Sequence, residues 1–350
     1  MSICKNLALK AIAVSLLSSA TFAADTVPQL IDGNTFTQPQ QLVEVEPGRR
    51  LNLHCAGTGS PTVVFESGLG VPISNWGFVQ PIVSQRTRTC AYERAGLGFS
   101  DAATRASDSK NIVDDLHRLL AAAAIKPPYV LVGHSYGGLT VRLYADTYPS
   151  DVVGMVLVDP TVEDQITAYR ALDPQKRSAE QWYADTVEPN LQDGRECVAA
   201  APAGFVPGSA LFKKCISDPF PQYSEAVNAS NQKQEMRQAV QQAGLSENEQ
   251  VFGASADQVR AVRRSYGNLP LVVLTSGPRP PPKAPLTPEA QALSAARRQL
   301  WVTLHDGVAK LSTRGVNEIV PGAKHYIQLD KPLAVIDAVS RVLAMSKDFK

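Results

Sequence analysis

Tyr129-Val130-Leu131-Val132-Gly133-His134-Ser135-Tyr136-Gly137-Gly138 decides the fold. A short apolar strand, Tyr129 to Val132, runs into a tight turn, and a helical stretch from Gly137 to Tyr148 follows at once. The turn carries G-x-S-x-G, the signature of a serine raised on a sharp strand-to-helix elbow. That elbow strains the backbone at its centre, so side chains at Gly133 and Gly137 would collide with their neighbours. It also aims the N-terminus of the following helix at negative charge developing beside the serine. The pentapeptide alone is common; the strand before it and the helix after it make it informative.

The surroundings repeat the same alternation. Upstream, Leu42 to Glu46 and Leu51 to Cys55 alternate apolar and polar residues around Pro47-Gly48, which reads as a β-hairpin. Thr62 to Phe65 and Thr87 to Tyr92 read as strands, and Asp108 to Ile125 has helical periodicity closed by Pro127-Pro128. Downstream, Val152 to Val158 is apolar enough to be buried on both faces. Leu271 to Leu274 and Val316 to Val320 repeat that signal, each followed by a helical stretch, Pro288 to Leu311 and Pro332 to Met345. Strands alternating with helices imply a mostly parallel sheet covered on both sides. Residues 161–268 break the alternation: they are polar, contain helical patches (Pro174 to Val187, Ser224 to Ala243, Ser255 to Tyr266) and offer no buried strand. They read as a helical cap inserted between core segments 24–160 and 269–350. Pro278 to Pro282 reads as a stiff connector.

Composition excludes some partners. A formal net charge of +1, with 44% hydrophobic and 19% charged residues, gives no global field for nucleic acid or an anionic membrane. Lys5 and Lys10 bound a short positive region, an apolar run from Ala11 to Leu17 follows, and small residues lead to Thr21-Phe22-Ala23. This is the layout of a cleavable signal peptide over residues 1–23, which predicts a secreted or periplasmic protein with no membrane span once processed. Beyond it lie Cys55, Cys90, Cys197 and Cys215, an even number suited to disulfides outside the cytoplasm, with three pairings open. Their wide spacing and the lack of histidine at ligand distance argue against a metal site, and no cofactor is implied.

A serine needs a base. Of the five histidines, His325 is best placed, in a loop after the last predicted strand, because strand C-terminal ends gather at one sheet edge with the elbow. His134 is the elbow's own variable residue, His117 and His305 fall within helices, and His54 lies in the hairpin.

At this point the chain resembles the α/β-hydrolase superfamily over Leu42 to about Asp159 and Leu269 to about Met345. Glu66-Ser67-Gly68-Leu69-Gly70 is similar to the family's His-Gly oxyanion loop, with Ser67 in the histidine's place. Tyr92-Glu93-Arg94-Ala95-Gly96-Leu97-Gly98-Phe99-Ser100 resembles its D-x-x-G-x-G-x-S segment, and His325-Tyr326-Ile327-Gln328-Leu329-Asp330 its histidine segment. The resemblance implies an α/β-hydrolase fold, an eight-stranded, mostly parallel sheet flanked by helices and bearing the cap. It further implies an oxyanion hole from the backbone N–H groups of Leu69 and Tyr136. In that fold the second strand lies beside the fourth, which favours Cys55–Cys90, with Cys197–Cys215 fastening the insertion.

One departure concerns the acid. Most members carry it after the seventh strand, but Thr275 to Pro288 contains no Asp or Glu. Some members place it after the sixth, which points to Asp159, with Glu163 and Asp164 as reserves. The expectation is therefore a serine hydrolase with Ser135, His325 and Asp159 cleaving a small ester-like substrate through an acyl-enzyme. Aminopeptidase, thioesterase, C–C hydrolase, lactonase and acyltransferase chemistry would use the same groups, and a non-catalytic binding protein is the alternative from another class. Epoxide hydrolysis and dehalogenation are disfavoured, because those relatives carry an elbow aspartate.

Overall fold

The computed structural model describes residues 30–278 and 286–348. The expected signal peptide at 1–23 and most of the Pro278–Pro282 connector lie outside the described residues. Eight strands form one sheet: β1 (Gln41–Glu46), β2 (Arg49–Ala56), β3 (Thr62–Glu66), β4 (Thr89–Tyr92), β5 (Tyr129–His134), β6 (Val152–Val158), β7 (Leu271–Ser276) and β8 (Gly315–Val320). Their spatial order is β1-β2-β4-β3-β5-β6-β7-β8. The β1–β2 and β2–β4 pairs are antiparallel and every later pair is parallel.

Every residue of β5 is buried, as a central strand with two covered faces requires. Successive side chains point to opposite faces. Val130 and Val132 therefore pack with Val63 and Phe65 on one side, while Leu131 packs with Val64 and Leu116 on the other. Each such fully buried Val or Leu contributes roughly 1.5–3 kcal/mol. β5 runs past the expected Val132, because Gly133 and His134 pair with Leu157 and Val158 of β6. The ladder thus delivers Ser135 to the sheet edge with no slack.

Helices separate β6 from β7, but their boundaries differ from those the periodicity suggests. The stretch expected at Ser224 to Ala243 is two helices, Glu225–Glu235 and Gln238–Gln250. The break is at Arg237, whose extended backbone (φ −73°, ψ 137°) lets its guanidinium donate to the carbonyls of Gly98 and Ser100. The patches at Pro174 to Val187 and Ser255 to Tyr266 shorten to Ala179–Thr186 and Ala254–Val262. Further helices cover Gln165–Ala171, Glu188–Ala200 and Ala210–Cys215, whose polar faces give no clear stripe.

Both cysteine pairings favoured above are formed. Cys55 and Cys90 are cross-strand partners in the β2–β4 ladder, with Cα atoms 4.1 Å apart. Cys197–Cys215 joins two insertion helices beside the small cluster of Ala201, Phe205 and Ile216. A closed loop of that size stabilises the fold by about 3 kcal/mol in the chain-entropy account. Among the described residues, no helix is long and apolar enough to cross a membrane.

Candidate active site

Ser135 forms the whole turn between β5 and the helix Tyr136–Thr147. Its φ of 52° and ψ of −119° are a conformation that a non-glycine residue adopts only when its surroundings enforce it. Its N–H donates to Val158 O at 3.1 Å, and its carbonyl accepts from Gly138 N at 2.8 Å and Thr161 N at 2.9 Å. The flanking glycines allow this turn to pack. A β-carbon on Gly133 would lie 2.5 Å from Gly137 O, and one on Gly137 would lie 2.5 Å from Glu66 O.

The loop after β8 carries His325 to the same edge, where its Nε2 sits 2.9 Å from Ser135 Oγ. Its Nδ1 lies 2.7 Å from Asp159 Oδ2. Because an ionised carboxylate only accepts, Nδ1 carries the proton and Nε2 is left as the acceptor facing the serine hydroxyl. Asp159 directly follows β6, also with positive φ (43°). Its second oxygen, Oδ1, accepts from Ser276 N at 2.8 Å and Trp301 Nε1 at 2.9 Å. Burial works against ionisation of this carboxyl, but the hydrogen bond and charge of His325 and the Ser276 N–H outweigh it, and its pKa falls to about 2. The histidine is 43% exposed and the aspartate 3%, so one end of the relay is accessible and the other anchored.

The reserve acids sit elsewhere. Glu163 takes both Nη atoms of Arg142, at 2.5 and 2.9 Å, and Asp164 pairs at the surface with Arg260 and Arg263. Trp301 has no signal in the sequence, where it is one aromatic on a long helix; it becomes visible only once Asp159 is placed.

Two further histidines support the site from below. His134 Nε2 donates to His325 O at 3.0 Å, and His305 Nε2 donates to Pro160 O at 2.9 Å beside Asp159. Burial drives both pKa values down, to about 3 and about 4, so both rings are neutral when folded. Unfolded, each would titrate near 6.5. The unfolded chain thus binds more protons below that value, so their contribution is complete above about pH 6.5 and is lost towards pH 3–4. Urea midpoints should accordingly fall between pH 7.5 and 5, and His305→Gln should flatten that dependence. An unchanged slope in the variant would remove His305 from this account.

The N–H groups of Leu69 and Tyr136 donate to no acceptor among the described residues, although Tyr136 is fully buried. Tyr136 opens its helix, where an N–H has no intrahelical acceptor, and Leu69 is half-buried, so both donors are free to meet a ligand oxygen. Gly68 crosses directly over the elbow: a β-carbon there would lie 2.7 Å from His134 Nδ1 and 3.3 Å from Ser135 Cβ. Outward from this loop opens a cleft of about 440 Å³, whose wall includes Leu69, Tyr326, Asn231, Glu235 and Lys214. Among the described residues, no three His, Cys, Asp or Glu side chains group as a metal site.

Comparison with known proteins agrees with this architecture. The model of the family described as "Alpha/beta hydrolase family" matches residues 63–338. An uncharacterized protein of Bacillus subtilis, YqjL, is 25% identical over 288 residues, covering 81% of this chain and 85% of its own. A second B. subtilis protein, YbdG, is 27% identical over 131 residues, 37% of this chain and 40% of that one. An alpha/beta hydrolase fold protein from Burkholderia ambifaria superposes with a TM-score of 0.57 at 18% identity, covering 87% of this chain and 98% of that one.

Proposed function

The chain belongs to the alpha/beta hydrolase family, and we propose that it is an exported serine hydrolase acting on carboxylic esters. One observation carries this reading: Ser135, His325 and Asp159 are joined by hydrogen bonds of 2.9 and 2.7 Å beside two unpaired backbone N–H groups. In the first step His325 Nε2 takes the hydroxyl proton as Ser135 Oγ bonds to the substrate carbonyl carbon. The carbonyl oxygen becomes an oxyanion, which the N–H groups of Leu69 and Tyr136 stabilise. Collapse expels the alkoxide, which takes the proton from His325 and leaves an acyl-serine. His325 then deprotonates a water that attacks the acyl carbon, releasing the carboxylic acid and restoring Ser135. Throughout, Asp159 holds the tautomer and offsets the imidazolium charge.

Export is part of the proposal. The signal-like layout of residues 1–23 supports it, as do two disulfides, which persist in oxidising compartments. A second reading, aminopeptidase activity, is favoured by one feature. The cleft presents Asp193, Asp218 and Glu235 against a single lysine, Lys214, whose ammonium is already held by Asp193 and Glu196. Those carboxylates would suit a protonated amine.

Purified protein offered p-nitrophenyl esters of graded chain length and aminoacyl p-nitroanilides should turn over the esters, and Ser135→Ala should abolish that turnover. Faster release from the anilides would favour the second reading. No turnover of either, or turnover that survives Ser135→Ala, would remove the first.

A further inference from the structure

We infer that Glu247, contributed by the insertion, is a positioning residue that fixes the oxyanion-binding loop; this rests on the serine hydrolase reading above. Glu247 lies in the helix Gln238–Gln250, far along the chain from the loop after β3, and is fully buried. Its carboxylate takes Arg94 side-on, with Nε to Oε1 at 2.6 Å and Nη2 to Oε2 at 2.9 Å. Oε2 also accepts from the backbone N–H of Gly70 at 2.7 Å.

Arg94 in turn grips the loop by its carbonyls. Nη1 donates to Ser67 O at 2.8 Å and to Glu66 Oε1 at 2.6 Å, and Nη2 donates to Gly68 O at 2.7 Å. The Gly68 carbonyl shares a planar trans peptide with the Leu69 N–H, so the two point in opposite directions. That oxygen accepts from Val71 N at 3.2 Å as well as from Arg94, and its anchoring on Arg94 aims the Leu69 N–H away from the ion pair. The neighbouring Gly70 N–H is taken by Glu247, while the Leu69 N–H meets no acceptor among the described residues. A guanidinium bound at one edge by a rigid carboxylate cannot rotate, so Glu247 sets the direction of a donor it does not touch.

The helix itself is a fixed part of the wall. Val240 and Ala243 pack against Leu97, and a β-carbon on Gly96 would lie 2.6 Å from Ala243 Cβ. The insertion thereby serves the chemistry as well as enclosing substrate.

The test compares Glu247→Gln with wild type and with Glu249→Ala, an exposed position on the same helix, using p-nitrophenyl acetate. The glutamine keeps the volume but loses the charge and one acceptor. Its kcat should fall about tenfold or more while KM stays within about threefold, because a donor acting on the oxyanion matters in the transition state. Affinity for a trifluoromethyl ketone, which forms an oxyanion on Ser135, should fall by the same factor as kcat/KM, and Glu247→Asp should recover part of both. Folded Glu247→Gln with wild-type kcat and ketone affinity overturns the inference. Failure of both variants to fold assigns the pair to stability alone and overturns it equally. Loss of the serine hydrolase reading itself looks different: wild-type turnover is then absent or survives Ser135→Ala, and the role of Glu247 falls with it.

Discussion

Asp159→Asn is expected to lower kcat for ester hydrolysis about 10⁴-fold while leaving the fold intact. The asparagine is isosteric, so its amide oxygen can still accept from Ser276 N and Trp301 Nε1, the partners of Oδ1. What then faces His325 Nδ1 is an NH₂ group. Two donors cannot share that 2.7 Å contact unless the imidazole moves its proton to Nε2. In that tautomer Nε2 points a proton at Ser135 Oγ and cannot remove one. The loss should appear in kcat with little change in KM, and the thermal midpoint should barely move. A variant with near wild-type kcat would mean that another carboxylate serves His325.

Glu163 supplies the contrast, and its removal carries the largest expected effect on stability. Arg142 is fully buried, and Glu163 takes two of its nitrogens. Glu163→Ala would leave a guanidinium in the interior without its counter-charge, a change that destabilises by about 3–5 kcal/mol. Burial resists ionisation of the Glu163 carboxyl, yet the bond and charge of Arg142 outweigh it and hold its pKa near 2. The pair therefore persists across the working pH range, and the effect should not depend on neutral-range pH. Denaturant titration should show a lower midpoint, with kcat of the remaining folded protein close to wild type. A large kcat loss at unchanged stability would reverse the roles of Glu163 and Asp159.

How much of the molecule is legible in the sequence differs by residue. The elbow is readable because its constraint is local: glycines at 133 and 137 and a strand and helix in direct contact leave few other structures. His325 follows from position, since the loops after parallel strands converge on one edge. Asp159 is reached only through the emptiness of the loop after β7. The insertion is harder, since its helices pack mostly polar faces, and the break at Arg237 arises from bonds to Gly98 and Ser100, far away in sequence. Trp301 and Glu247 are unreadable for the same reason. Each acts through contacts with distant residues, and nothing in its own neighbourhood marks it.

In the proposed reaction Ser135 carries the acyl group. The most direct test mixes the protein with p-nitrophenyl acetate, quenches in acid within the first turnovers, and maps the added mass by peptide mass spectrometry. One acetyl group on the peptide containing Ser135, released on longer incubation before the quench and absent in Ser135→Ala, is the predicted result. An acetyl group on another residue, or hydrolysis that proceeds with Ser135 unmodified, would contradict the account.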